Sequence, residues 1–481
     1  MTQAAVLLEQ GRIIDGTGAP AWVGDVLLQG DRIAALGPKL AIDLPGLQRI
    51  DCRYRVIAPG FIDVHTHDDN LVLQSPGMWP KLSQGITTVV TGNCGISLAP
   101  YQVQQPLPPL NLLGHDAFKY PAFEAYTAAV DQAQPAVNVA SLIGHTTLRF
   151  ACMADMDQPA SAEELERMCA LLAECMAQGA TGLSSGLFYE PAFAAPMEEV
   201  VRLAQVVAQF DGVYATHLRS EMAAIIEALH EAGDTAHIAG VPLIISHHKC
   251  AGPANWGRTL QTLPLIEKLA ERQSVAMDVY PYLAGSTVLR EDLVDGVIDV
   301  LLSWSTPHPE MVGRLLADIA AEWGVDQQTA CQRLQPGGAC YFQMHEDDVK
   351  RVLAHPLSMI GSDGLPHDQH PHPRLWGAFP RVLGRYARDE QLFTLEQAVY
   401  KMTGLSARNF RLQQRGQLQP GWFADVVVFD PARVQDMASY ASPLERSIGI
   451  EQVFVNGQLA CEAGADGVLQ RAGRMLTRQS K

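Results

Sequence analysis

Eight short apolar runs, spread over residues 56–362 and mostly separated by helical segments, constrain this chain more than any other feature. They lie at 56–65, 86–91, 137–143, 180–184, 213–217, 243–246, 275–279 and 358–362. Runs of this length alternating with helical patterns point to parallel strands joined by crossover helices. The clearest helix is 161–178: Ser161 stands at the N-cap before Glu163 and Glu164, and Leu165, Met168, Leu172 and Cys175 recur at helical spacing. Eight such units predict an α/β fold closed into a (β/α)8 TIM barrel, whose active face is the C-terminal end of the strands. An open doubly wound sheet is the alternative, and the count of eight favours closure.

The two ends of the chain have a different texture. Residues 1–56 read as short strands at 5–8, 25–29 and 32–36, and residues 413–481 as strands at 424–430 and 453–457, with tight turns between. Both ends are expected to pair into one small β-sandwich, leaving 57–412 as the barrel. The stretch from about 285 to 350, before the eighth run, is too long for an ordinary connection. It is expected to be an inserted segment over the barrel mouth, acting as a lid or a specificity wall.

Composition removes several classes of partner. The net charge is −17 with no Lys/Arg cluster, which argues against nucleic acid and anionic membrane surfaces. A small anionic substrate stays open, because a few local cations can capture one. The nine cysteines include no Cys-x-x-Cys pair, and the first residues lack the basic start and apolar run of a signal peptide. No apolar segment approaches the roughly 18 residues of a membrane-spanning helix. A reducing cytoplasm with free thiols is the simplest account.

Chemistry gathers at the strand ends. The first run closes on His65-Thr66-His67, and side chains two apart on a strand leave the same face. After the second comes Cys94, between glycines in Gly92-Asn93-Cys94-Gly95; His217 ends the fifth, His247 follows the sixth and Asp363 follows the eighth. Singly, each has a plain explanation: a solvated or hydrogen-bonded histidine, or a cysteine acting as a small hydrophobe. All of them on one barrel face suits a metal site better, since imidazole and thiolate are metal ligands.

This order of His-x-His, His, His and Asp resembles the amidohydrolase superfamily of metal-dependent hydrolases. The segments Gly92-Asn93-Cys94-Gly95-Ile96-Ser97, Ser185-Gly186-Leu187-Phe188-Tyr189-Glu190-Pro191, Thr216-His217-Leu218-Arg219-Ser220-Glu221, Ser246-His247-His248-Lys249 and Ser362-Asp363-Gly364 are similar to its D-aminoacylase branch, the N-acyl-D-amino-acid deacylases. The resemblance covers essentially the whole chain. It implies one tight Zn2+ held by Cys94, His217 and His247, and a second, weaker site of His65 and His67 with Cys94 bridging. It implies Asp363 as the general base that later protonates the leaving amine, and Tyr189 as a hydrogen-bond donor to the developing oxyanion. For Tyr189, packing at the core or rim is the alternative. The fourth run ends Gly182-Leu183-Ser184-Ser185-Gly186, without the bridging lysine of hydantoinase-like relatives.

For the substrate, the resemblance implies a carboxylate clamp of Lys249, Tyr280, Ser286 and Arg374, although Lys249 or Arg374 in a structural ion pair is the competing reading. It implies an apolar side-chain wall of Phe188, Tyr341 and Met344. Arg290 either receives an acidic side chain or pairs with Glu291 or Asp292. The implied reaction is hydrolysis of a small N-acyl-D-amino acid. A deacylase for acidic D-substrates, a dipeptidase for C-terminal D-residues and a non-catalytic barrel scaffold are the rivals. His367, His370 and His372, among three prolines, read as a stiff loop that positions Arg374, and His145 is expected at the active end, as a candidate to line the pocket rather than as a ligand.

Overall fold

The computed structural model describes residues 5–114 and 116–478. The outermost residues of both expected β segments, 1–4 and 479–481, lie outside that range. Eight strands from the two ends form one hydrogen-bonded sheet. Its centre is the junction of the ends: Val56–Pro59 runs parallel to Ala5–Ile13 and antiparallel to Val426–Phe429. Alternate residues Val6, Leu8, Val26, Leu28, Val426 and Val428 bury one face, as the two-residue period of strands requires.

The apolar run at 56–65 is therefore not one strand. Val56–Pro59 belongs to the β domain and Phe61–Asp63 to the barrel. Gly60 makes the break: its N–H donates to the Asp425 carbonyl at 2.9 Å, and a Cβ there would lie 2.2 Å from Thr87. Only glycine lets the two layers approach this closely.

The barrel strands are Phe61–Asp63, Ile86–Thr91, Asn138–Gly144, Gly182–Gly186, Val213–His217, Leu243–Ile245, Val275–Val279 and Ser358–Ile360, each parallel to its neighbours. The seam between eighth and first is bridged by two bonds, Asp363 N–H to the His65 carbonyl and Ser362 N–H to Asp63 Oδ1, both 2.8 Å. Closure rather than an open sheet is what brings residues 65 and 363 together. Inside, Ile62, Val90, Leu142, Ala215, Ile244 and Met359 fill the barrel. Helix Ala162–Ala177 begins with a capping box, Ser161 Oγ accepting from Glu164 N–H and Glu164 Oε2 from Ser161 N–H.

Between the seventh and eighth strands lies the insertion. Strands Gly285–Val288, Val300–Ser305 and Gly337–Tyr341 make an antiparallel sheet backed by helices Leu316–Trp323 and Gln327–Leu334. Leu302, Ile319, Leu334 and Tyr341 give it a core of its own. Among the described residues, no helix is long and apolar enough to cross a membrane.

Candidate metal centre and active site

Five of the eight barrel strands, the first, second, fifth, sixth and eighth, bring side chains at or just past their C-terminal ends to one cluster at the barrel mouth. Cys94 Sγ lies 3.2 Å from His65 Nε2 and 3.3 Å from His247 Nε2. Asp363 Oδ1 lies 3.4 Å from His65 Nε2 and 3.2 Å from His67 Nε2. Three overlapping groups have donor atoms within 4.8 Å of one another: His65, His67 and Cys94; Cys94, His217 and His247; and His65, His247 and Asp363. No other described His, Cys, Asp or Glu residues gather in this way. The cluster thus joins all six residues expected there.

The backbone is bent to make this possible. Cys94, His247 and Asp363 have φ of +53°, +35° and +50°, in the left-handed region that side chains normally avoid. Such strain persists where the surrounding structure over-determines it, commonly at functional sites. Around Cys94 the glycines are obligatory, since a Cβ on Gly92 would lie 2.0 Å from the Leu142 carbonyl oxygen.

The donor set suits a thiophilic metal. Burial pushes the other eight thiols up, Cys52, Cys175, Cys250 and Cys340 to about 12. Burial acts on Cys94 in the same sense, yet His65 and His247 beside it hold its thiol well below the ordinary value. A thiolate is the form that ligates metal. His217 is buried with no hydrogen bond at either ring nitrogen, and His67 has none at Nδ1. Buried polar atoms are rarely left without a partner, so these ring nitrogens suit a metal as theirs. Tetrahedral sites of nitrogen and sulfur are the preference of zinc.

Around the cluster runs a shell of carboxylates. Asp278 spans 3.2 Å to His65 Nδ1 and accepts the His247 N–H at 2.9 Å. Glu221 Oε1 lies 2.6 Å from Lys249 Nζ and 3.0 Å from His247 Nδ1, and its Oε2 is 3.5 Å from His217 Nε2. Neither carboxylate was assigned a role from the sequence. Asp278 had a signal, as a lone charge inside an apolar strand; Glu221 had only its place four residues after His217. Beneath them, fully buried Lys81 reaches Asp63 at 2.9 Å, Asp68 at 3.2 Å and Ser362 Oγ at 2.8 Å, tying the first strand to the eighth.

A cavity of about 760 Å³ opens from the cluster. His67, Cys94, His217, His247 and Asp363 form its floor, and Tyr189, Lys249, Tyr280, Ser286, Phe188, Tyr341 and Arg290 line its walls. The Tyr189 hydroxyl is 3.2 Å from Thr287 Oγ1, and burial together with the charge of Cys94 pushes its pKa up, so it stays a donor. The Tyr280 and Ser286 hydroxyls are buried and have no partner.

Three residues lie elsewhere than expected. Met344 does not line this cavity; it sits beyond Lys249 and Tyr280, beside a separate small void. Arg374 is also outside the lining: it is fully buried, 2.8 Å from Asp363 Oδ2, and donates to the Ser286 carbonyl at 3.2 Å. Burial raises the Asp363 pKa, but Arg374 and His65 outweigh it and hold the carboxyl well below its usual range. His372 Nδ1 accepts the Arg374 N–H at 3.0 Å, so the proline-rich loop does orient that residue. His145 is turned away from the cavity and bonds Glu199 at 2.8 Å.

Comparison with known proteins fits this geometry. The amidohydrolase family model matches residues 48–301 and 310–460. D-aminoacylase of Alcaligenes xylosoxydans xylosoxydans is 49% identical over 98% of this chain and 97% of its own. A crystal structure of D-aminoacylase superposes with a TM-score of 0.96 at 50% identity, covering 98% of this chain and 99% of that one. N-acyl-D-glutamate deacylase from Bordetella bronchiseptica, solved with zinc and a phosphonate mimic of the tetrahedral intermediate, superposes with a TM-score of 0.94 at 44% identity, covering 99% of this chain and 100% of that one.

Proposed function

Because the chain belongs to the amidohydrolase family, within its D-aminoacylase branch, we propose that it hydrolyses the amide bond of N-acyl-D-amino acids, releasing a D-amino acid and a carboxylate. The observation that carries this reading is the meeting of one thiolate, four imidazoles and Asp363 in one cluster, all but His65 on the floor of a single cavity. Cys94, His217 and His247 would hold one Zn2+ tightly, and His65 and His67 would share Cys94 in a weaker second site. Zinc, when bound, supplies a Lewis acid for the acyl carbonyl and an acidified water.

The remaining steps belong to the chain itself. Asp363, kept ionised by Arg374, accepts the proton of the attacking water and returns it to the leaving nitrogen. Tyr189 donates to the acyl oxygen as negative charge develops there. Lys249, Tyr280 and Ser286 receive the α-carboxylate, with Arg374 reinforcing them from behind through Ser286 and Asp363. A substrate carboxylate joins Glu221 on Lys249 rather than meeting a free cation. Fixing carboxylate, scissile carbonyl and side chain at three places admits one hand only. For the side chain, Phe188 and Tyr341 favour an apolar group, because Arg290 is already paired with Asp292.

The test is hydrolysis of N-acetyl-D-methionine, N-acetyl-L-methionine and N-acetyl-D-glutamate by enzyme stripped with a chelator, before and after zinc is added. Zinc-restored release of D-methionine alone is expected. Cleavage of neither D-substrate by the reloaded enzyme would sink the deacylase reading. A second prediction follows from the carboxylate shell: Glu221→Gln is expected to weaken zinc binding by about 10- to 100-fold, the usual cost of losing a ligand-orienting partner. Competition against a chromophoric chelator measures this, and an unchanged affinity would remove Glu221 from the metal's support.

A further inference from the structure

Arg290 and Asp292 stand side by side on the cavity wall that also carries Phe188 and Tyr341. The guanidinium lies 4.5 Å from the centre of the Phe188 ring. Its backbone N–H donates to the Tyr341 hydroxyl at 2.9 Å, and that hydroxyl donates to the Val288 carbonyl at 3.1 Å. The main chain that carries the cation is thus anchored among the residues that would meet a substrate side chain. Its planar fork is engaged: Nε donates to Asp292 Oδ1 at 2.9 Å and Nη2 to Oδ2 at 2.8 Å.

A fork of parallel N–H groups is shaped for a carboxylate, and this edge already holds one supplied by the chain. An acidic substrate side chain would have to bring a second negative charge beside Asp292, whereas an uncharged one would not. We propose that Asp292 masks Arg290 and is the residue that sets the preference for uncharged over acidic D-side chains, leaving an acid-binding subsite present but internally occupied. This inference rests on the deacylase reading above. Like-charge exclusion of the wrong ligand is a common route to specificity, and it is removable by one substitution. The Asp292 side chain is 58% exposed, so truncating it leaves the fold's core untouched.

The experiment compares the zinc-loaded wild type with Asp292→Ala, Arg290→Met and the double variant on N-acetyl-D-glutamate and N-acetyl-D-methionine. Competitive inhibition by free D-glutamate and D-methionine provides a binding readout separate from turnover. In Asp292→Ala the glutamate-to-methionine ratio of kcat/KM is expected to rise by about tenfold or more, mainly through KM for glutamate. D-glutamate is expected to inhibit that variant more tightly than the wild type. Adding Arg290→Met should return both measures to the wild-type range. An unmoved ratio in an Asp292→Ala enzyme that still cleaves methionine would overturn the masking alone. So would a gain that survives in the double variant, or a wild type that already prefers glutamate. A loaded wild type that cleaves neither substrate would overturn this inference together with the reading beneath it.

Discussion

Asp363→Asn is expected to lower kcat by about a hundred- to ten-thousand-fold, the range that general acid–base catalysis contributes, with bound metal unchanged. Asparagine keeps the shape of the side chain and tolerates the φ of +50° better than most residues, so the backbone turn should survive. It removes the charge that faces Arg374 at 2.8 Å and the oxygen that faces His67 at 3.2 Å. Arg374 is fully buried, and leaving a buried cation without its partner costs about 3–5 kcal/mol when nothing replaces it. The amide oxygen still accepts a hydrogen bond, which makes the loss in stability smaller. Three measurements separate the effects: kcat, metal content by mass spectrometry, and Tm. A variant with full metal and a kcat within tenfold of wild type would exclude Asp363 as the proton carrier.

Cys94→Ser is expected to lose metal first and activity as a consequence. One sulfur lies within 3.3 Å of imidazoles from two different strand ends, so its removal takes a donor from both candidate positions at once. A serine hydroxyl does not ionise in the pH range where this thiol does. Zinc affinity is expected to fall on the order of a hundredfold or more, at least matching the loss of an outer-shell partner. High zinc should rescue part of the activity. The eight other cysteines provide the control, since burial keeps their thiols protonated: Cys340→Ser, in the insertion, is expected to retain full metal. Equal zinc content in Cys94→Ser and wild type would move the tight site away from the thiolate.

Much of this arrangement was legible in the sequence because apolar runs mark buried parallel strands. The runs at 213–217 and 275–279 match strands Val213–His217 and Val275–Val279 residue for residue, and His217 falls at its strand end as read. The run at 56–65 reads as one strand because hydropathy does not change at Gly60; the constraint that breaks it is the nearness of Thr87. Glu221, Asp278 and Lys81 were not assigned roles. Lys81 bonds Asp63 and Ser362, one 18 and the other 281 residues away, and nothing local announces either contact. Resemblance puts Met344 in the pocket wall, whereas the side chain borders a small void together with Lys249 and Tyr280. Pairings such as Arg374 with Asp363 depend on how two loops meet, which chain pattern alone does not encode.

The strand at Val56–Pro59 has a consequence for how this molecule comes into being. One of its edges is completed by Val426–Phe429, a partner separated from it by roughly 370 residues. On a ribosome adding about 5–20 residues per second, that edge waits from roughly twenty seconds to more than a minute for its mate. Throughout that time Val56 and Ile57 lack the cover they have in the finished sheet, and they adjoin the segment leading to the first histidines. Newly made chains therefore pass through a stage with an open, apolar β edge, the kind of surface that invites pairing with other chains. Overproduction at high temperature should send this protein into aggregates before its metal site ever forms, and slower synthesis or a holdase chaperone should recover it.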